Sequence, residues 1–257
     1  MVLRFLTLAS IAGVFSVLGS DAAAGEGRRC ATPVPTSEQL DESRRVSAVA
    51  GERKLPFPKE GVEIPVAFHV ILKYDTSGGV LGDLLDKDIN KQLRVLNDAY
   101  IGTGFRFSLR SVDRTRNNAW FKSCTTQEES TMKDALAIDP ARVLNVYTCD
   151  PENDDLGLST FPQGFPESNA MHGVVISFRT LPNGAEDRYN LGITLVHETG
   201  HYLGLYHTFE SGNYKTVARE MEMGWTIRHT RKRLHSVAKY ARIPVWAIPE
   251  NSLTGIR

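Results

Sequence analysis

A run of eleven residues, His197 to His207, carries three of the seven histidines of this 257-residue chain and reads HETGHYLGLYH. If the run begins as a helix, His197 and His201 lie one turn apart and project from the same face. Two imidazoles placed this way can supply part of the tetrahedral ligand shell of Zn²⁺. Gly204 can adopt positive φ and end the helix, so that His207 turns back as a third ligand. Three protein ligands leave one position open, which is typical of a catalytic zinc site rather than a structural one.

Glu198 follows the first of these histidines and is predicted to lie beside the metal, where its carboxylate can take a proton from zinc-bound water. The alternative is an ordinary helix with two core or surface histidines, because a bare HExxH also occurs by chance. Gly204 and His207 at the matching spacings favour the metal site. The sequence therefore predicts one Zn²⁺ per chain, with Glu198 as general base and with three ligands, His197, His201 and His207.

Hydrophobic periodicity predicts the elements that would position this motif. Strands are predicted over 64–72, 105–110, 142–148 and 173–178, and helices over 86–100, 127–137 and 191–205. Strands that alternate with helices indicate an α/β fold with a twisted, mostly parallel sheet. The last helix is expected to present its histidines to a cleft and to pack beneath the sheet through Leu195, Val196, Tyr202 and Leu203.

Three smaller features complete this reading of the central region. Asp75 to Gly79 is predicted to be a turn. His69 lies inside the apolar first strand and is predicted to be a hydrogen-bonded core residue rather than a ligand. Residues 150–167 are rich in Asp, Gly and Pro and are predicted to form a long surface excursion.

The first 24 residues are typical of a secretory signal. Arg4 supplies the positive start, Phe5 to Leu18 is apolar, and Ala22 to Ala24 offers a cleavage site. A membrane anchor is the alternative, but it needs about 20 apolar residues, which is more than this run contains. We therefore expect a secreted, extracellular protein without a membrane partner, in a compartment where disulfides are permitted.

Three segments follow the signal. Residues 25–60 are predicted to be a lead-in or pro-segment, with a helix within 37–50. Residues 61–212 hold the predicted strands and helices and the histidine motif. Residues 213–257 carry nine Lys or Arg against three Glu, although the formal net charge of the whole chain is zero. Since this basic tail has no periodic apolar face, it is predicted to be solvated and poorly ordered rather than a patch for nucleic acid or membrane.

Runs around and upstream of the histidines resemble the pappalysin branch of the metzincin zinc endopeptidases, in particular small secreted fungal metalloproteases. The resemblance covers about Cys30 to Gly212. It implies a metzincin-like fold, the same three zinc ligands, the same general base, and protein or peptide substrates whose peptide bonds are hydrolysed. The runs that carry it are YNLG and LYHTFE at the two ends of the motif, and IPVAFHVI, LNDAYIGTGFRFSL, VDRTRNNAWF, LNVYT, STFPQ and HGVVISFRTLP upstream.

After Gly212 the sequence departs from the family pattern. A cysteine-containing loop, a GD…DTP-type stretch and a Met-turn are not visible, and Met221 and Met223 stand in a run, EMEMGW, that does not match. We therefore expect an incomplete C-terminal subdomain, caused by a truncated or misread C-terminal part such as a frame change or a retained intron. Calcium is common in the family, but the residues present give no support for a Ca²⁺ site.

Three cysteines leave one unpaired in a monomer. Cys124 and Cys149 flank the third predicted strand and the helix before it, so a disulfide between them is expected. Cys30 then stands alone in RCATP, which resembles a cysteine-switch segment whose thiolate takes the open position of the zinc and keeps the enzyme latent. The alternatives are that Cys30 pairs with a cysteine of the missing C-terminal region, or with one of the two present.

Two functions follow from these observations. The first is a secreted zinc metalloendopeptidase. Glu198 favours it, because a protein that only binds zinc would not need a carboxylate beside the metal. Chelation of divalent metals should abolish its proteolysis. The second is a catalytically impaired zinc-binding remnant that lacks the Met-turn and acts as a binding domain or has no function. A purely structural zinc site is disfavoured because the site has three ligands and an open fourth position, but a fourth cysteine or histidine near the site in space would restore that alternative. We expect a monomer that acts on proteins or peptides and has no nucleic-acid partner.

Overall fold

The structure, a computed structural model, describes residues 30–53 and 61–207. The predicted signal and the basic tail, including Met221 and Met223, lie outside these ranges. No helix in the described ranges is long and apolar enough to cross a membrane. The helices are α1 Ser37–Arg53, α2 Asp86–Ala99, α3 Asn118–Ser123, α4 Glu129–Leu136 and α5 Ile193–Tyr202. The strands are β1 Val62–Tyr74, β2 Val80–Leu81, β3 Phe105–Arg116, β4 Leu144–Cys149, β5 Gly157–Ser159 and β6 Val174–Ser177.

The six strands form one mostly parallel sheet, which confirms the predicted fold class. The long strand β1 pairs in parallel with β3 on one side and with β4 on the other. At the end of β1, Lys73 and Tyr74 pair antiparallel with β2, which follows the predicted turn. β4 continues in parallel to β6, and β5 closes the sheet as an antiparallel edge strand.

The sheet is covered on both faces because alternate residues of its central strands point to opposite sides. Alternate residues of β1, from Val62 to Leu72, face a core that also contains side chains of α2 and α5. Ile71 and Tyr147 face the other core, to which α3 and α4 contribute Phe121 and Met132. The predicted packing of the motif helix is confirmed, because Leu195, Tyr202 and Leu203 are buried in the first core and Val196 packs against it.

His69 belongs to the second face and is fully buried. Its Nδ1 lies 2.5 Å from Oδ2 of Asp113 and its Nε2 lies 2.9 Å from Oδ1 of Asn145. The ring stacks on Tyr147, with 4.7 Å between ring centroids. Both ring nitrogens therefore have partners, and the prediction that His69 is a core residue is confirmed.

One prediction about local structure is wrong in part, and one short helix was not predicted. Residues 150–167 do not form only a surface excursion, because β5 lies within them and all three of its residues are buried. α3 was not predicted at all; it is six residues long, and its N-terminus is capped by Asn117, whose Oδ1 accepts from two backbone N–H groups. Elements of three and six residues are too short to show a hydrophobic period.

Candidate metal centre and active site

The motif helix α5 is fixed at both ends by glycines in the left-handed region. Gly192, with φ of +80°, stands at its N-terminus, where its carbonyl accepts from Nε2 of Gln92 at 2.9 Å. Gly204, with φ of +91°, follows its C-terminus, as the sequence predicted. Its N–H donates to the carbonyl of His201 at 2.8 Å, and the chain then reverses. Positive φ is strained for residues with a Cβ, so glycine permits both turns.

The turn after α5 brings the three predicted ligands together. Nε2 of His201 lies 3.0 Å from Nε2 of His197 and 3.1 Å from Nε2 of His207. The Nε2 atoms of His197 and His207 are 3.2 Å apart. The three imidazoles thus point at a common centre. The turn brings His207 to the same site as His197, although the two are ten positions apart.

The orientation of His201 is set by the turn itself. Its Nδ1 donates to the carbonyl of Leu205 at 2.6 Å, which leaves the Nε2 lone pair directed at the common centre. A histidine that ligates a metal through one nitrogen commonly donates through the other to a carbonyl or carboxylate. The ring of Phe161 packs edge-on against His201 at 5.4 Å and limits its rotation.

Cys30 supplies a fourth atom to this cluster. Its Sγ lies 3.6 Å from Nε2 of His201, and the donor atoms of Cys30 and the three histidines all lie within 4.8 Å of one another. Around a tetrahedral Zn²⁺, ligand nitrogens lie about 3.3 Å apart and a thiolate sulfur lies about 3.6 Å from a nitrogen. The donor set and its spacing therefore fit a Zn²⁺ ion.

The ionisation of these groups also fits a cation. Burial lowers the pKa of His201 to about 4, and burial together with His207 lowers the pKa of His197. Burial and the neighbouring Glu198 raise the pKa of the Cys30 thiol to about 12. Without a cation, His197 and His201 therefore favour the neutral imidazole, which is the form that binds metal. A bound divalent cation would supply the charge that a thiolate needs.

Glu198 points into the same cleft and is almost fully buried. Oγ1 of Thr32 donates to its Oε2 at 2.9 Å. Burial, opposed by this hydroxyl and reinforced by the charge of Asp155, raises the pKa of Glu198 to about 7. Gly157 of β5 allows the carboxylate to lie here, because a Cβ at position 157 would be 2.6 Å from Cγ and 2.8 Å from Oε1 of Glu198.

The lead-in segment lies along the free edge of β5. Cys30 forms a parallel bridge with Gly157, and the N–H of Ala31 donates to the Gly157 carbonyl at 2.8 Å. The N–H of Ser159 donates to Oγ1 of Thr32 at 2.8 Å. Sequence reasoning missed these contacts, since they join residues more than 120 positions apart and β5 was not predicted.

Helix α1 holds the lead-in at a second place, next to the turn that carries His207. It covers the predicted range 37–50 and places Leu40 in a buried position. Oγ of Ser43 lies 2.6 Å from the hydroxyl of Tyr206 and accepts from Nε2 of Gln163 at 2.7 Å. Gln163 also hydrogen-bonds Tyr206 directly. These contacts tie α1 to the residue that precedes His207.

The cysteines are arranged as the sequence predicted. Cys124 and Cys149 form a disulfide between the end of α3 and the end of β4. Both lie in the core on the face opposite α5. Cys30 is left as a free cysteine, so its pairing with either of the other two is excluded in this structure.

Comparison with known proteins identifies the family. The model of peptidase family M43 described as pregnancy-associated plasma protein-A matches residues 126–238, a range that continues past Gly212 into the basic tail. An extracellular metalloprotease of Pyricularia oryzae is 36% identical over 191 residues, which are 72% of this chain and 65% of that protein. One of Colletotrichum graminicola is 38% identical over 205 residues, 76% of this chain and 70% of that protein.

Two solved structures share the fold. Mature mirolysin of Tannerella forsythia in complex with a cleaved peptide superposes with a TM-score of 0.51 at 24% identity, over 62% of this chain and 69% of that one. A promirolysin mutant of the same organism gives a TM-score of 0.54 at 22% identity, over 67% of this chain and 64% of that one. The chain matches the two fungal relatives over about two thirds of their length. These relatives and the family model together show that the chain belongs to the pappalysin-like M43 family of metalloproteases.

Proposed function

We propose that this chain is the precursor of a secreted zinc metalloendopeptidase that hydrolyses peptide bonds in proteins. The observation that carries the proposal is the convergence of three imidazole nitrogens, 3.0–3.2 Å apart, beside the buried carboxylate of Glu198. His197, His201 and His207 would hold one Zn²⁺, and Glu198 would act as general base. The fungal relatives, which are named extracellular metalloproteases, support both the activity and the secretion.

The residues of the chain would divide the reaction between them. A bound Zn²⁺ would supply a Lewis acid that polarises the scissile carbonyl and lowers the pKa of the attacking water. Glu198 would accept the proton of that water and later return it to the leaving amine, once Thr32 of the lead-in has left its carboxylate. The walls of β5 and Phe161 would exclude bulk water from this exchange.

We further propose that the precursor is latent. Sγ of Cys30 lies where a fourth ligand of the zinc would lie, and residues 30–32 lie between β5 and the motif helix. Activity would then require Cys30 to leave the metal and the lead-in to leave the cleft. An inactive zinc-binding domain is the other function considered from the sequence, but the retained Glu198 and the relatives do not favour it.

The test is to measure zinc content and peptide cleavage of the secreted chain, before and after proteolytic removal of the lead-in. We expect one equivalent of zinc and cleavage that appears only after removal. Glu198→Ala should keep the zinc but lose about 10²–10⁴-fold in turnover, the usual contribution of a general base. Asp187→Asn, an exposed acidic change upstream of α5, serves as control and should leave turnover unchanged.

Two outcomes would contradict the proposal. If the processed chain binds zinc but does not cleave peptides, the site is only a binding site. If Glu198→Ala turns over normally, another group is the base.

A further inference from the structure

Thr32 makes two hydrogen bonds in the cleft through a single hydroxyl. Its Oγ1 donates to Oε2 of Glu198 at 2.9 Å and accepts from the N–H of Ser159 at 2.8 Å. Thr32 is 3% exposed, so water does not compete for these bonds. A hydroxyl has one proton to donate, and here that proton is directed at the carboxylate. Thr32 thus joins three parts of the molecule: the lead-in, β5 and α5.

The position of Thr32 follows from the register of the lead-in. The N–H of Ala31 donates to the carbonyl of Gly157, which fixes the extended segment against β5. In an extended chain, residues two apart point to the same side. Cys30 and Thr32 therefore both point into the cleft, one toward the histidines and the other toward Glu198.

The two side chains differ in their main contacts, although Cys30 also interacts with Glu198 and with Thr32. Sγ of Cys30 lies within reach of the metal ligands, whereas Thr32 occupies the carboxylate that would receive a proton from water. A neutral donor bound to a buried carboxylate makes a charge-assisted hydrogen bond, which is stronger than one between neutral groups. Loss of the thiol alone would leave this second contact in place.

We propose that Thr32 is a second latch of the lead-in, which caps the carboxylate of Glu198 and pins the segment to Ser159 independently of the Cys30 thiol. This inference rests on the proposed function, because it concerns the latency of the same site. It requires that a change at Cys30 alone opens the site only partly. It also requires that the hydroxyl of Thr32, rather than its methyl group, holds the segment in place.

The experiment measures release of the lead-in in the full, unprocessed, zinc-loaded chain. Because Cys124 and Cys149 are joined, Cys30 is the one free thiol, and its rate of alkylation by iodoacetamide reports its exposure. Thr32→Val should raise this rate about tenfold or more, the effect of losing a hydrogen bond to a charged group. Backbone amide exchange at Ala31 and Ser159 should accelerate in parallel.

Two matched variants identify the hydroxyl as the cause. Thr32→Ser keeps the hydroxyl and should alkylate as slowly as the unaltered chain. Thr131→Val removes a hydroxyl that bonds only Glu128 within its own helical turn, and it should also have no effect. The proposal is overturned if Thr32→Val alkylates at the rate of Thr131→Val, or if Thr32→Ser is released as fast as Thr32→Val.

Peptide cleavage by the unprocessed chain adds a second readout. Cys30→Ser and Thr32→Val should each raise it, and the double variant should exceed either single one, as in a double-mutant cycle. If Cys30→Ser alone gives full activity, there is no second latch. Alkylation and amide exchange need no turnover, so they test Thr32 even if the processed chain proves inactive and the proposed function fails.

Discussion

Two buried histidines on opposite faces of one sheet have opposite kinds of partner. His69 is bonded at both ring nitrogens, by Asp113 and by Asn145, and has no atom left for a ligand. His201 is bonded at Nδ1 by the carbonyl of Leu205, whereas its Nε2 faces two other ring nitrogens and the thiol of Cys30. Burial is similar in the two cases, so burial does not distinguish a structural histidine from a ligand. What differs is the partner of the second ring nitrogen, which is the amide of Asn145 for His69 and a cluster of metal-type donor atoms for His201.

The same contrast extends to the neighbours of each ring. Around His69, a carboxylate and an amide complete a closed set of hydrogen bonds, which stabilises a core. Around His201, two further imidazoles and a thiol converge on one centre. Polar groups that converge in this way are the usual basis of a functional site.

The largest effect should come from His201→Ala. It removes one of three ligands, so zinc affinity should fall by on the order of 100-fold or more and peptide cleavage should drop to background. Zinc content after dialysis, measured by atomic absorption, checks this. If His201→Ala retains one equivalent of tightly bound zinc, His201 is not a ligand and the contrast with His69 does not hold.

Gly157→Ala should have the next largest effect, because its Cβ would lie 2.6 Å from Cγ of Glu198. The carboxylate must move, and a misplacement of about 1 Å can cost on the order of 100-fold in rate. Zinc content should not change, since no ligand is displaced. Turnover of the processed chain is the measurement, with Gly164→Ala as control because its Cβ would meet nothing closer than 3.4 Å. Equal turnover in both variants would exclude a role for Gly157 in placing Glu198.

His69→Ala should have the smallest effect on chemistry and act on stability instead. Asp113 and Asn145 lose their partner and the core gains a cavity, so the free energy of unfolding should fall by about 2–4 kcal/mol. Urea unfolding measures this, with the exposed change Arg110→Ala on β3 as control. Zinc content should stay at one equivalent. Loss of zinc from His69→Ala in a chain that remains folded would contradict the assignment of His69 to the core.

The parts of the site that could be predicted from sequence depend on local spacing. His197 and His201 share a helix face because they are four residues apart, and Gly204 and His207 complete a turn within the next six residues. The core face of α5 also follows from spacing, and Leu195 and Tyr202 are buried as expected. Local rules therefore suffice to predict that the three imidazoles meet.

The parts that could not be predicted depend on pairing between distant segments. Thr32 meets Glu198 across 166 positions, and it meets Ser159 across 127. β5 has three residues, begins with glycine and lies among turn-forming residues, so neither its period nor its composition distinguishes it from a loop. The place of Cys30 near the histidines was foreseen only through the family resemblance, because nothing local links the two.

The disulfide on the face opposite α5 has a consequence for which thiol remains at the cleft. Three cysteines allow three different single bridges, and two of them would carry Cys30 away from the histidines. Once Cys124 and Cys149 have joined, no disulfide partner for Cys30 remains within the chain. An intramolecular exchange that would take the Cys30 thiol out of the cleft would then first have to break that bridge. The Cys124–Cys149 disulfide on one face of the sheet thus leaves the thiol of Cys30 free at the cleft.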